Sequence, residues 1–205
     1  MVNSVIEIIN KRRSIRGYES KSIPKDIINT IIEAGNQAPS TMGMLKGVLR
    51  FQPWRFVVVE DPEFKKKLLD AALPIWKKMT KSMKEMDSEL YKKVMTLYEM
   101  TPEPKDLIYH SAPVILFVIG PISNAVSCSL ACENIMLAAR SLGLGSCYTG
   151  FGSMVKGNAD VVQALELTEG ERIYGPILLG YPKDAPEKSF MSQHKNYVDP
   201  TIKWI

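Results

Sequence analysis

Cysteine, histidine and long apolar runs are scarce in this chain, and each scarcity excludes a class of protein. Three cysteines in 205 residues cannot form the paired disulfide framework of a small secreted protein. The longest nearly uninterrupted apolar run, residues 112–122, contains Pro113, Gly120 and Pro121 and is too short to span a bilayer. Residues 1–9 do not have the pattern of a secretion signal. We therefore expect a soluble, cytoplasmic protein with no membrane segment.

The scarce residues also argue against several kinds of site. His110 and His194 lie in no motif that indicates a Ser-His-Asp or Cys-His arrangement. Cys128 and Cys132 are four residues apart and could supply two metal ligands, but no further cysteine or histidine lies at a matching spacing. We predict that both cysteines are core residues and that there is no metal site. The net charge of +4 is mild and its basic residues form no stripe, so we expect no nucleic-acid partner.

Helices alternate with apolar strands along the chain. The patterns predict four helices, over residues 4 to 11 or 12, from Pro24 to before Pro39, over 123–142 and over about 160–167. They predict four strands, over 54–59, 112–119, 146–149 and 174–181. Residues 63–100 are predicted to be a charged helical stretch that is interrupted at Pro74. The helix over 123–142 is low in charge and rich in small residues. Such a helix lies in a core or against another subunit.

The run from Arg12 to Tyr18 holds three guanidinium groups and a hydroxyl within five positions: Arg12, Arg13, Ser14 and Arg16. A guanidinium is planar, permanently charged and offers paired donors, so a cluster of this kind suits a phosphate. An isolated run of this composition is equally compatible with a solvated basic loop.

The glycine-rich segment 143–152 is not a dinucleotide fingerprint. It follows a predicted helix and leads into a predicted strand, whereas the fingerprint follows a strand and opens a helix. We interpret Gly143 and Gly145 as the helix C-cap. Gly150 and Gly152 lie beyond the cap, where glycines let a flat ligand approach the backbone closely.

These segments occur in an order that resembles the nitroreductase family of FMN-dependent oxidoreductases. The matching pieces are RRSIRGY at 12–18, a proline-initiated helix ending in APS at 38–40, QPWRFVVV at 52–59, GLGSCYTGF at 143–151 and PILLGYP at 176–182. Each piece alone is weak evidence. Together, in this order and at compatible spacing, they cover nearly the whole chain.

The resemblance implies an α+β fold in which helices flank a central, mainly antiparallel sheet, and an intertwined homodimer with two FMN sites in its interface. It implies one FMN-binding domain over 1–205, with a helical excursion at 63–110 and a C-terminal extension at 182–205 that packs on the partner. Trp204 near the chain's last residue fits such packing, because a free tail rarely ends in tryptophan.

The resemblance also implies the cofactor-binding residues. The basic run would hold the FMN phosphate and reach towards the flavin's pyrimidine edge, with Arg16 beside N1 and O2. A loop from the partner subunit would lie beside the isoalloxazine, and the strand after the glycines would lie along the ring. The implied positions are Arg12, Arg13, Ser14, Arg16, Pro39, Ser40, Thr41, Gln52, Tyr148, Thr149, Gly150 and Lys188.

The implied chemistry belongs to the cofactor more than to protein acids or bases. NAD(P)H would pass hydride to flavin N5, and a nitroaromatic, quinone, free flavin or similar acceptor would then take two electrons at the same place. Such exchange predicts ping-pong kinetics. Two alternatives remain open at this point: an FMN-binding carrier or sensor with little turnover, and a different reductant such as ferredoxin.

The chain departs from the family between Ser40 and Gln52. The interval is longer than usual, its residues 42–51 are largely apolar, and Arg50 stands where the family commonly has asparagine. A tolerated surface insertion is one interpretation, because loop closure costs only about 0.6 kcal/mol per doubling of length. The apolar content favours an element that lines or covers the substrate face.

Overall fold

The protein is described here by a computed structural model that covers residues 3–40, 52–183 and 200–204. Six α-helices and four strands lie within these ranges. In chain order they are α1 (Ser4–Lys11), α2 (Lys25–Asn36), β1 (Arg55–Val59), α3 (Pro62–Met86), α4 (Ser88–Met100), β2 (Val114–Pro121), α5 (Ala125–Ser141), β3 (Gly145–Tyr148), α6 (Ala159–Ala164) and β4 (Glu171–Gly180). Short 3₁₀ turns at Ile122–Asn124 and Phe151–Ser153 flank α5 and β3.

The four strands form one sheet in the order β1-β2-β4-β3, and each neighbouring pair is antiparallel. The central pair, β2 and β4, is almost entirely buried. Helices cover both faces of this sheet. The predicted α+β class, with helices flanking an antiparallel sheet, is confirmed.

Strand β2 shows why the apolar run at 112–122 is nearly continuous. Because side chains alternate along a strand, Val114, Leu116 and Val118 enter a core with α2 and α5. Their neighbours Ile115, Phe117 and Ile119 enter a second core with α3, α4 and α6. A strand buried on both faces needs apolar residues at every position.

Helix α5 packs one face on the sheet. Residues 122–141 are long and apolar enough, by composition alone, to be considered a membrane span, but Cys128, Cys132 and Ile135 of this helix are fully buried in the first core. Burial raises the pKa of Cys128 to about 11 and that of Cys132 to about 12. The prediction that both cysteines are core residues is confirmed, and no cluster of three candidate metal ligands occurs in the described part of the chain.

The predicted interruption at Pro74 is wrong. Helix α3 continues through Pro74 and ends at Met86. The break falls at Asp87, whose carboxylate accepts a hydrogen bond from the N–H of Leu90 in the first turn of α4. Proline costs a helix its i−4 hydrogen bond. Here α3 buries Leu68 before Pro74 and Trp76 after it in the same core, so packing on both sides outweighs the local preference.

The end of α5 confirms one of the two predicted cap glycines. Gly143 has φ +78°, and the Leu144 N–H donates to the Ala139 carbonyl, as in a Schellman cap. Gly145 is not part of the cap: it opens β3, and a Cβ there would lie 2.8 Å from Ile15. Its role is to let the basic segment approach the strand.

Candidate functional site

The basic segment 12–18 is an extended chain beside β3. Helix α1 ends because Arg12 adopts extended backbone angles, φ −63° and ψ 132°. Ile15 then donates its N–H to the Ser146 carbonyl over 2.9 Å, within a parallel bridge between Ser14 and Ser146. Farther along, the Lys183 N–H donates to the Gly17 carbonyl over 3.1 Å. The segment thus lies along the edge of the sheet, where its alternate residues face opposite sides.

Arg12, Ser14 and Arg16 occupy alternate positions of this segment, a spacing that places them on one side of an extended chain. All three influence the buried Cys147 thiol: burial raises its pKa, whereas the Arg16 charge, a hydrogen bond with Ser14 and the Arg12 charge act in the opposite direction. Ile15, between Ser14 and Arg16, packs against Gly145. The four steps between the five residues from Arg12 to Arg16 span about 13 Å in an extended chain. That is far enough to separate a phosphate from the ring of one ligand.

Arg13 has a different environment from Arg12. Its Nη1 donates to the carbonyls of Asn10 at 2.6 Å and Arg12 at 2.7 Å, at the C-terminal end of α1. Arg12 Nε lies 3.5 Å from the Glu133 carboxylate, a long contact between half-exposed groups that is worth little. The Arg12 guanidinium is therefore better placed than that of Arg13 to bind an anion.

A cleft of about 680 Å³ opens next to Arg16. Its inner wall consists of Arg16 to Tyr18, the end of β3 with the turn 147–151, and Lys183. Its outer wall consists of Trp76 from α3, Val94 and Leu97 from α4, and residues of the segment 101–111. The volume is in the range of small-molecule sites, and the mixture of apolar surface with a few polar groups is typical of them.

Tyr148, Thr149 and Gly150 form part of the inner wall. The Tyr148 side chain is 45% exposed, and the Thr149 N–H is already used by the Pro176 carbonyl at 3.0 Å. Gly150 is exposed, and a Cβ there would meet no atom within 4 Å. Among the described residues none accepts from the Gly150 N–H. Nothing in the described part of the chain requires glycine at 150, whereas a ligand on the backbone would.

The turn after Gly150 is fastened to the outer wall. The Tyr109 hydroxyl donates to the Gly152 carbonyl over 3.0 Å, and a Cβ at Gly152 would lie 2.8 Å from both the Tyr109 ring and Pro176. Gly152 therefore permits a close contact inside the protein. Burial of Tyr109, reinforced by the Asp106 charge, raises the pKa of its phenol, so this donor keeps its proton.

The outer wall also contains an unusual turn built around Asp106. The buried Asp106 carboxylate accepts from the N–H groups of Ile108, Tyr109 and Ser111 at 3.0, 2.6 and 2.9 Å. His110 and Ser111 both have left-handed backbone angles, φ 52° and 50°. Burial and then the Arg16 charge lower the pKa of His110 to about 4, although the Asp106 charge acts in the opposite direction.

A second group of implied residues lies elsewhere. Gln52 Nε2 donates to the Asn36 carbonyl over 3.3 Å, and Trp54 Nε1 donates to the Asn36 side chain over 3.2 Å. Gln52 is thereby held at the end of α2, which leads into Pro39 and Ser40. Gln52, Pro39 and Ser40 are not among the residues that line the cleft. Thr41, Lys188 and the insertion 42–51, with Arg50, lie outside the described residues.

Lys183 and His110 are cleft residues that sequence reasoning did not single out. Lys183 lies on the inner wall with Arg16, whereas the sequence directed attention to Lys188. His110 belongs to no catalytic motif in the sequence, and it lies in the cleft. Neither position carries a local signal, because a single lysine after a strand and a single histidine before one are both common on protein surfaces.

Comparison with known proteins is consistent with this geometry. The profile of the Nitroreductase family matches residues 9–181. A protein of Archaeoglobus fulgidus, assigned by name to the NADH dehydrogenase/NAD(P)H nitroreductases, is 31% identical over 90% of this chain and 88% of its own. The nitroreductase of Bacteroides fragilis, solved with bound FMN, is 26% identical, with a TM-score of 0.71 over 100% of both chains.

A more distant likeness extends to another named enzyme. Iodotyrosine deiodinase 1 of mouse is 28% identical over 67% of this chain, and the chain spans about half of that protein, 49%. The family profile covers most of the chain, and the Archaeoglobus protein matches along nearly its whole length. The chain belongs to the nitroreductase family.

Proposed function

We propose that this protein is an FMN-dependent oxidoreductase that carries two electrons from NAD(P)H to a small acceptor. The observation that carries the proposal is the pairing, on the inner wall of one cleft, of the Arg16 guanidinium with the bare backbone of Gly150. A flavin ring needs a cation where negative charge develops and an N–H donor where hydride is exchanged. The solved FMN complex of the related Bacteroides protein supports the choice of cofactor.

The residues present fit FMN at its phosphate end. Arg12 and Ser14 face the same side of the basic segment as Arg16, and a phosphate can replace the long contact between Arg12 and Glu133. Arg13 remains a candidate through its position, although its guanidinium donates to backbone carbonyls. Lys188 is the proposed late basic residue on the phosphate.

The inner wall of the cleft provides the proposed binding site for the flavin ring. In this proposal Arg16 stabilises negative charge at the N1 and O2 edge, and the Gly150 N–H donates towards N5. Tyr148 and Thr149 lie along the ring. The apolar outer wall, including Trp76 and Leu97, keeps water from the exposed face. When bound, FMN supplies the chemistry: it accepts hydride at N5 from the nicotinamide and passes two electrons to a nitroaromatic, quinone, flavin or similar acceptor.

The shared cleft implies a kinetic order. If donor and acceptor occupy the same space between the ring and the outer wall, each must leave before the other binds, which gives ping-pong kinetics. The insertion 42–51 is proposed to cover this face. Deletion of residues 43–49 should then change acceptor preference while FMN remains bound, and unchanged preference would identify it as a tolerated surface insertion.

We further propose a homodimer in which the partner subunit supplies Pro39, Ser40 and Thr41 beside the ring. Within one chain, the described members of this group lie with Gln52 and away from the cleft. Apolar surface is available for the interface: Val5 and Ile6 of α1 are 58% and 51% exposed, and Val126 of α5 is 71% exposed. Trp204, 90% exposed, is the proposed packing residue of the C-terminal extension.

The absorbance spectrum of the purified protein tests the function. A yellow protein whose flavin bands bleach anaerobically on addition of NADH or NADPH supports the enzyme. A yellow protein that bleaches only with reduced ferredoxin indicates another reductant, and one that no reductant of this kind bleaches indicates a carrier or sensor. A colourless protein that takes up no added FMN contradicts the proposal.

A further inference from the structure

Residues 106–111 form a rigid turn in the outer wall of the cleft, and the carboxylate of Asp106 is its centre. Three backbone N–H groups donate to its two oxygens within 3.0 Å, and Asp106 is 8% exposed. A buried carboxylate with three such bonds is well satisfied. It therefore acts as the support of the turn, and its oxygens have little capacity left for a ligand.

The turn holds His110 and Ser111 in successive left-handed conformations. Such angles are unfavourable for a non-glycine residue and persist only when the surrounding structure requires them. The Asp106 carboxylate holds these angles, because it accepts hydrogen bonds from the N–H groups on both sides of His110. As a result, the imidazole lines the cleft within electrostatic reach of Arg16.

Around His110 the outer wall is mainly apolar. Trp76, Val94, Leu97 and Leu107 line it, together with the polar Thr101, Glu103 and Ser111. The described charged groups that act on the imidazole are Asp106 and Arg16. Burial keeps the pKa of His110 near 4, so the ring is uncharged at neutral pH. An uncharged donor among apolar side chains is well suited to read one polar atom of a flat, uncharged ligand.

We propose that His110 is a specificity-determining residue of this cleft, and that its imidazole N–H donates a hydrogen bond to an oxygen of an uncharged electron acceptor. A quinone carbonyl or a nitro group supplies such an oxygen. The inference rests on the proposed function, because the acceptor is the one that enters between the flavin ring and the outer wall. No proton transfer by His110 is involved.

Two ligands of matched shape test the proposal on the oxidised holoprotein, without turnover. Menadione carries two carbonyl oxygens, and 2-methylnaphthalene has the same ring system without them. Binding is followed through the perturbation of the flavin absorbance. A neutral hydrogen bond is worth about 0.5–1.5 kcal/mol, so His110→Gly should weaken menadione binding about 3- to 10-fold and leave 2-methylnaphthalene binding unchanged.

The substitutions are chosen so that backbone strain does not obscure the result. Glycine accepts φ 52° without cost and asparagine tolerates it, so neither variant is expected to unfold. His110→Asn keeps an N–H donor and should retain most of the menadione affinity. Glu166→Gly relieves the same conformation, φ 50°, at a residue outside the cleft lining, and should alter neither ligand.

Three results would overturn the inference. Equal loss of both ligands in His110→Gly would show that the imidazole contributes shape only. Unchanged menadione binding would show that it makes no hydrogen bond, and failure of His110→Asn to differ from His110→Gly would exclude a role for the donor. These outcomes appear in a yellow, reducible protein. A wild-type protein that takes up no FMN would instead contradict the proposed function itself, and this inference with it.

Discussion

Ile15 donates its backbone N–H to the carbonyl oxygen of Ser146 over 2.9 Å, and this bond fixes the basic segment against the strand that ends in the cleft. Arg12 lies on one side of the contact and Arg16 on the other. Because both belong to one extended chain, their separation is set by backbone geometry and not by flexible loops. The close approach depends on Gly145, where a Cβ would overlap Ile15.

Arg16→Ala should weaken FMN binding and lower the midpoint potential of the bound flavin. A charge-assisted hydrogen bond contributes about 1.5–3 kcal/mol, which corresponds to about 10- to 100-fold in affinity. The potential should fall because the reduced, negatively charged ring loses a neighbouring cation. Fluorescence titration measures the affinity, and equilibration with a reference dye measures the potential. Arg172→Ala removes the same charge at an exposed site outside the cleft and serves as the control. If Arg16→Ala leaves both quantities at the wild-type value, Arg16 does not contact the flavin.

Gly150→Val should impair FMN binding without destabilising the protein. Gly150 has helical backbone angles, φ −68° and ψ −40°, and a Cβ there meets nothing within 4 Å. Among the described residues none meets that Cβ, so we expect a bound ligand to meet the new side chain, at a cost of about 1–3 kcal/mol, or roughly 5- to 150-fold in affinity. Thermal unfolding and FMN titration are the two measurements. Gly157→Val, which also meets nothing within 4 Å, should change neither. Equal FMN affinity in both variants would place the ring elsewhere.

A mixed dimer of two variants that each bind FMN weakly should recover flavin sites if the proposed dimer is correct. Arg16→Ala removes a residue of the cleft, and Pro39→Trp blocks the loop proposed to come from the partner. A dimer that combines one chain of each kind contains one site with both elements intact. Co-expressed chains with two different affinity tags can be purified as the mixed dimer, and their FMN content compared with that of each variant alone. No recovery in the mixed dimer would mean that both residues serve a site from the same chain, or that no such dimer forms.

Glu171 should make stability depend on acid pH. Its carboxylate accepts from Arg55 Nε and Nη2 at 3.1 and 3.0 Å, and the Arg55 hydrogen bond lowers its pKa from 4.5 to about 2. The folded state therefore holds the charged form more tightly than the unfolded state does. This contribution is complete above pH 4.5 and is lost as the pH falls through about 2.

Glu171→Gln tests that contribution, since it keeps the shape and removes the charge. It should lower the free energy of unfolding at neutral pH by about 2 kcal/mol and flatten the dependence on acid pH. Urea unfolding at several pH values measures both effects. Glu169→Gln is the matched control, because this exposed carboxylate lies two residues away in the same turn. An identical acid dependence in Glu171→Gln and the wild type would contradict the assignment.

Much of the fold can be predicted from the sequence, because a buried element must consist of apolar or small residues. The continuous apolar run of β2 and the small residues of α5 both follow from packing on two sides, and both elements were predicted within a few residues. Pro74 shows the limit of local rules. A proline predicts a helix break, but the contacts of Leu68 and Trp76 with a distant part of the chain decide the outcome, and those contacts have no local pattern.

The candidate site was harder to predict from the sequence than the fold. The spacing of Arg12, Ser14 and Arg16 is a period-2 pattern, which predicts a shared side once the segment is known to be extended. Nothing in the sequence indicates that Asp106 supports a turn, because its three partners are backbone N–H groups that every residue has. The position of His110 in the cleft follows from that turn, and it could be recognised only from the folded chain.

The alternation of β2 between two cores has a consequence for how this protein can change over time. A larger or smaller side chain at Leu116 disturbs the packing beside α5, and one at Phe117 disturbs the packing beside α3. Both positions pair with β1, and Phe117 lies at the irregularity in the pairing of β2 with β4. The helices that form the outer wall of the cleft therefore pack on the same strand as the helices on the opposite side of the sheet. Changes in what the cleft binds are more accessible through the cleft-facing positions of α4 and the segment after it than through the strand beneath them.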